Sequence, residues 1–230
     1  MYLDKSRLPM LTILLTLFAL IGRAEATVYK YEVIDRNGFA ITQQSLYIEL
    51  KDQSLKKFYP NVNMLEVWEV GNNDTLTKTR YFLDDSKAVF YGFSDLRLLG
   101  EASYWYQLDP LFDIRIRNFF TERELLGANS EKAFGQIGDI RVEMEQEINA
   151  TLPDKLVFKQ GTRYTEYQLV ESDGAEAFNI NPGDYALYDF ADLSDMLHDS
   201  FVIKSFEQGL LERRDVSINH SDNQYMIHWH

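Results

Sequence analysis

Apolar and polar residues alternate at a period of two over much of this chain, beginning at Thr27. The stretch TVYKYEVI places Tyr29, Tyr31 and Val33 on one face and Lys30 and Glu32 on the other, as in a half-buried strand. Asn37-Gly38 predicts a hairpin turn with positive φ at both positions. The return strand runs from about Ala40 to Leu50, with Leu46, Ile48 and Leu50 in phase. A polar loop containing Pro60 is expected next. Strands over Met64 to Val70, Thr75 to Leu83 and Ala88 to Phe93 then complete five strands with short connections, an antiparallel meander.

The pattern changes after Ser94. Leu98, Ala102, Trp105 and Leu108 recur at three- and four-residue spacing, as on one helix face, although Gly100 weakens that reading. Asp109-Pro110 has the form of an N-cap followed by proline at the first helical position, and residues 111–120 fit helix and strand equally well. Thr121 to Glu124 has capping-box spacing, which predicts a short helix stopped by Gly127.

Alternation returns from Gly138, with Ile140, Val142, Met144 and Ile148 facing Arg141, Glu143, Glu145, Glu147 and Asn149. Strands follow over LVFKQ and TRYTEYQLVE, then a strand or loop after Tyr185 and a short helix ending near Gly209. LLERRDVSI and QYMIHWH read as a closing hairpin. The fold class this implies is α+β: a mainly antiparallel, curved β-sheet whose single apolar face is covered by a few helices, the 94–126 region being the expected cover.

One stretch belongs to no such element. Leu11 to Gly22 is an uncharged apolar run, led by Lys5 and Arg7 and followed by Ala24-Glu25-Ala26. Basic lead, short apolar core and A-x-A site are the layout of a cleaved signal peptide, and the run is too short for a membrane-spanning helix. The expected organisation is a leader over 1–26 and a single β-rich domain over 27–230. Cleavage removes Lys5, Arg7 and Arg23 against Asp4 and Glu25, taking the formal charge from −13 to −14. That field repels nucleic acid and anionic lipid surfaces, and its simplest use is solubility. The chain has no cysteine. An exported domain without disulfides, large enough to hold a core without them, points to a bacterial periplasm, with secretion as the alternative. It also leaves no cysteine for a lipid anchor.

Candidate chemistry is sparse. The densest aromatic block, Tyr104-Trp105-Tyr106 with Phe93 nearby, could line a pocket for an apolar or sugar-like ligand, or simply fill the core. All four histidines lie near the C-terminus. His228 and His230 would share one side of a strand, and Asp195, His198 and Asp199 sit on an aspartate-rich stretch, so a transition-metal site is conceivable there. The ordinary roles of such residues are helix caps and a solvated face. Ser54 to Lys57 matches S-x-x-K and Ser221 to Asn223 matches S-D-N, but K-T-G is missing and the pair reads as coincidence. No other hydrolase, phosphate-binding or metalloprotease motif occurs.

These features favour a soluble, exported, non-enzymatic binding or carrier protein for an apolar small molecule or an envelope partner, with no cofactor. At the level of architecture alone the expected cupped sheet resembles the lipoprotein carriers of Gram-negative periplasms, with no motif behind the likeness. The alternatives are a metal-binding module or metal-dependent hydrolase built on the C-terminal histidines and aspartates, and an assembly factor without a small ligand.

Overall fold

The period-two alternation is realised as twelve strands in one sheet. A computed structural model describes residues 27–212 apart from 52, 113, 172–177 and 179. The leader, the expected closing hairpin beyond Glu212, and His220, His228 and His230 lie outside the described residues.

Two antiparallel meanders make up the sheet. The first comprises β1 (Thr27–Asn37), β2 (Ala40–Lys51), β3 (Ser54–Tyr59), β4 (Met64–Val70), β5 (Leu76–Phe82) and β6 (Lys87–Tyr91). The second comprises β7 (Phe120–Leu125), β8 (Ser130–Ile137), β9 (Ile140–Glu147), β10 (Lys155–Gln160) and β11 (Arg163–Glu171). Antiparallel pairing of β1 with β11 joins them, and the short β12 (Ala186–Asp189) adds to β6 in parallel at the far edge. The β1–β2, β8–β9 and β10–β11 hairpins turn on Gly38-Phe39, Gly138-Asp139 and Gly161-Thr162. Each has positive φ at its glycine, as a two-residue turn with glycine first requires. The first turn is thus one residue later than Asn37-Gly38 predicts.

One face of the sheet looks inward throughout. Tyr31, Val33, Leu46, Ile48, Leu55, Trp68, Leu76, Phe82, Val89 and Tyr91 form the main core under the first meander. Their cover is α1 (Phe93–Leu99), the turn Phe190–Met196 and α2 (Ser200–Glu207). Phe190 stacks on Tyr91 at 4.7 Å and Phe201 meets Phe82 edge-on at 4.9 Å. Asp199 caps α2, accepting from the backbone N–H groups of Phe201 and Val202. A second core under β8–β10 gathers Ala133, Ile137, Ile140, Val142, Met144, Leu156 and Phe158 beneath Phe112 and Ile116 of the 110–119 segment. A twelve-stranded twisted sheet curls around such a cover rather than lying flat. On the opposite face Phe178 covers Val28 and Leu65.

Four expectations are corrected. Residues 54–59 are a strand rather than a loop: each of their neighbours offers a full ladder, and Leu55 is completely buried. The helix beginning at Phe93 stops at Gly100 (φ +72) instead of running to Leu108. Beyond it, the Ser103 carbonyl accepts a hydrogen bond from Leu76 N and Tyr104 bridges Thr75, so the start of β5 captures that backbone. Residues 120–125 pair with β8 instead of forming a capped helix, since a six-residue helix cannot hold by itself what a sheet ladder supplies. The cover is therefore shared between 93–119 and the C-terminal 190–211, not confined to 94–126. The ambiguous 111–120 stretch contains a 3-10 helix over Ile114–Phe119, and Ile148 falls just past the end of β9, exposed.

Candidate ligand-binding site

The inner face of the first meander is not uniformly apolar. Strand register brings Tyr29, Ile48, Lys57, Glu66, Arg80, Val89 and Tyr188 into one row across β1, β2, β3, β4, β5, β6 and β12. The adjacent row is Leu50, Leu55, Trp68, Lys78 and Tyr91. Four charged side chains thus occupy positions whose phase is that of the core.

Most of that charge is paired. Arg80 Nε donates to Glu66 Oε1 at 2.6 Å, while Arg80 Nη1 donates to Glu212 at 2.8 Å and to the Leu210 carbonyl at 2.9 Å. Lys78, 1% exposed, donates to both oxygens of Glu101 at 2.6 Å. Its ammonium also lies over the rings of Tyr91, at 4.3 Å, and Trp68, at 5.1 Å. Burial by itself raises the pKa of Glu66, but Arg80, Lys78 and Lys57 overcome it and hold the carboxyl down at about 2. Burial works against the charge of Arg80, yet Tyr91, Glu66 and Glu212 keep it protonated well beyond the ordinary guanidinium range.

Lys57 is different. Burial lowers its pKa, Glu66, Asp109 and Glu101 oppose that, and Lys78 reinforces it. Tyr59, two residues on and on the same face, has its hydroxyl pKa pushed far up, chiefly by burial and next by Glu66. Both side chains are nevertheless only half-buried. Trp68, diagonal to Lys57 on the next strand, has its indole N–H enclosed without an acceptor among the described residues, an arrangement that costs about 1–3 kcal/mol.

The two cores meet beside these residues. Leu111 and Tyr167 pack against both, and Tyr29, Leu50, Tyr59, Trp105 and Leu108 border the main core while keeping part of their surface accessible. The segment carrying Trp105 and Leu108 is pinned by Asp109, whose carboxylate accepts from Arg117 at 2.8 Å and from Leu111 N at 3.1 Å. Inward-pointing aromatic and aliphatic side chains that remain half-buried line the seam between the two cores.

The aromatic block predicted from sequence divides here. Trp105 turns to the main core. Tyr104 stacks on Tyr106 at 5.6 Å and meets Phe93 edge-on at 5.2 Å, and Tyr106 is 72% exposed, so these three form a surface cluster. Of the metal candidates, Asp199 is the cap of α2 and lies 3.6 Å from Lys87, while Asp195 and His198 are exposed. No three His, Asp or Glu side chains converge as metal ligands among the described residues, and His228 and His230 are outside them. Ser54 and Lys57, three apart on a strand, point to opposite faces and cannot act together. Lys57 and Glu66 were missed because β3 and β4 carry charges on both phases, and Lys78 and Arg80 because their strand puts charge and apolar residues on one phase and threonines on the other. The available signal was that Glu66 shares the phase of Met64 and Trp68, and that Lys78 and Arg80 share the phase of Leu76 and Phe82.

No family model matches this chain, and no curated protein matches it. Among solved structures it is similar to PNGF-II, with 15% identity and a TM-score of 0.41 over 76% of this chain and 34% of that one. The chain therefore spans about a third of PNGF-II's length. A Vibrio parahaemolyticus domain assigned to outer membrane lipoprotein sorting aligns at 7% identity and TM-score 0.36, over 67% of this chain and 87% of that one. An uncharacterized conserved protein from Thermus thermophilus aligns at 13% identity and TM-score 0.34, over 70% and 90%. At these scores the chemistry has to be argued from the inner face itself. No helix among the described residues is long and apolar enough to cross a membrane.

Proposed function

We propose that the mature protein is a non-enzymatic carrier, exported to the periplasm, that holds an apolar small molecule at the seam between its two cores. The observation that carries this is the set of inward-facing but half-buried side chains, Tyr59, Trp105, Leu108, Leu111 and Tyr167 among them, beside a core in which Ile48, Leu55, Leu76, Val89 and Tyr91 are fully enclosed. A solid core closes over such residues; a binding protein leaves them for its ligand to cover. The leader over 1–26 supports export, and the excess negative charge supports a soluble carrier.

Native mass spectrometry of protein recovered from the periplasm tests the reading. A co-purified small molecule, a mature N-terminus at Thr27, and a rise in Tm with single-chain lipids are expected. Protein that carries no adduct and gains no Tm from any lipid would refute the carrier. The surface cluster of Phe93 and Tyr104 with the exposed Tyr106 favours a second role, docking to an envelope partner. That role predicts that Tyr106→Ala weakens partner binding without altering lipid uptake.

A further inference from the structure

We propose that the molecule held at the seam is a single-chain amphiphile with an anionic headgroup, received by Lys57 Nζ and the adjacent Tyr59 hydroxyl. This rests on the carrier reading above and adds the chemistry of the ligand to it.

Each cation on the two inner rows has a hydrogen-bonded carboxylate except one. Arg80 takes Glu66 and Glu212, and Lys78 takes both oxygens of Glu101. Asp109, which Lys57 also feels, is committed to Arg117. Lys57 makes no hydrogen bond or ion pair among the described residues, although register sets it directly between Ile48 and Glu66 on the core-facing side. The Lys57 side chain is half-buried among core-facing residues with no hydrogen-bond partner among those described, a position where selection for stability alone would place a leucine or methionine.

Three groups near Lys57 can donate and have no hydrogen-bond partner among the described residues: its own ammonium, the Tyr59 hydroxyl and the enclosed Trp68 indole N–H. A site of unmatched donors calls for an acceptor, and a carboxylate or phosphate forms charge-assisted hydrogen bonds with a lysine. The segment above supplies the apolar part. Glu101 is held by Lys78, on the row next to Lys57, and the segment that follows packs on the main core through Trp105 and Leu108. A headgroup at Lys57 would carry its chain beneath Trp105 toward Leu111 and Tyr167, where the two cores meet.

Isothermal titration of the mature protein with dodecanoate, dodecyl phosphate, dodecanol and inorganic phosphate tests this, using the wild type, Lys57→Met and Lys57→Arg. Both dodecyl anions are expected to bind about 30-fold tighter than dodecanol, in line with one hydrogen bond to a charged group. Lys57→Met should erase that preference while leaving dodecanol binding intact and the melting temperature equal or higher, and Lys57→Arg should retain it. Equal affinity for all three dodecyl compounds, unchanged by Lys57→Met, would overturn the headgroup assignment and leave the carrier standing. Binding of inorganic phosphate as tight as that of dodecyl phosphate would overturn it too, because the site would then be a plain anion site. Failure of every dodecyl compound to bind would overturn the carrier and this inference together.

Discussion

The two meanders of the sheet solve the same packing problem with different chemistry. Under β8–β10 the enclosed positions of the inner face are apolar or Gly135, with Glu131, Gln146 and Gln160 at its ends, and the 110–119 segment lies directly on it: a Cβ at Gly135 would come within 2.4 Å of the Phe119 carbonyl oxygen. Under β3–β5 the same inward phase carries Lys57, Glu66, Lys78 and Arg80, and Glu101 and Glu212 reach down to Lys78 and Arg80. One half is close-packed. The other gives up dispersion contacts and pairs charges in a low-dielectric setting, which seldom stabilises a fold over an apolar alternative. A face that departs from the cheaper solution while its neighbour adopts it is where function is expected.

The largest effect that would sharpen this contrast is Arg80→Ala. It strands Glu66 and Glu212 in the interior, and urea unfolding should record a loss of about 3–5 kcal/mol. The double variant Arg80→Met with Glu66→Leu should recover much of that loss. If Arg80→Ala alone cost no more than a surface substitution, the buried network would have no structural weight.

Acid comes next. The Glu66 carboxyl is held at about 2 in the folded protein against 4.5 ordinarily, so its contribution is complete above about pH 4.5 and disappears as pH falls toward 2. Over that window the linked loss is on the order of 3 kcal/mol, read as denaturant midpoints from pH 5 to pH 2. Glu66→Gln should flatten that part of the profile.

The close-packed half has its own test. Gly135→Ala drives a methyl into the Phe119 carbonyl and should cost about 1–3 kcal/mol, with amide exchange accelerated first in 110–119. Indifference to this change would mean that the second half is no tighter than the first. The smallest effect belongs to the outer surface. Glu143 accepts from Lys159 at 2.9 Å and lies 3.7 Å from Lys132, yet Glu143→Gln should shift stability by only about 0.5 kcal/mol, as is usual for solvent-exposed ion pairs.

How much of this was readable beforehand follows from the range of the forces involved. A strand's two faces are set by the backbone pleat, so the phases of Tyr29, Tyr31 and Val33 or of Ile140, Val142 and Met144 could be read from the order of residues alone. Turns with glycine at their head, the acidic balance and the leader-like run are equally local properties. Residues 54–59 and 120–125 were misread because their composition suits a loop or a capped helix, and only an available ladder on a neighbouring strand makes them extended. Local phase hinted at Glu66 and Arg80 as inward charges, but not at the row from Lys57 to Arg80. Each charge lies on a separate strand, β3 and β4 have charges on both faces, and which face is enclosed depends on helices contributed from 93–99 and 200–207. Chain order therefore determined the strands and their phases. Only the tertiary structure decided that Lys57, Glu66 and Arg80 share one interior row, because cross-strand register and cover act between segments far apart in sequence.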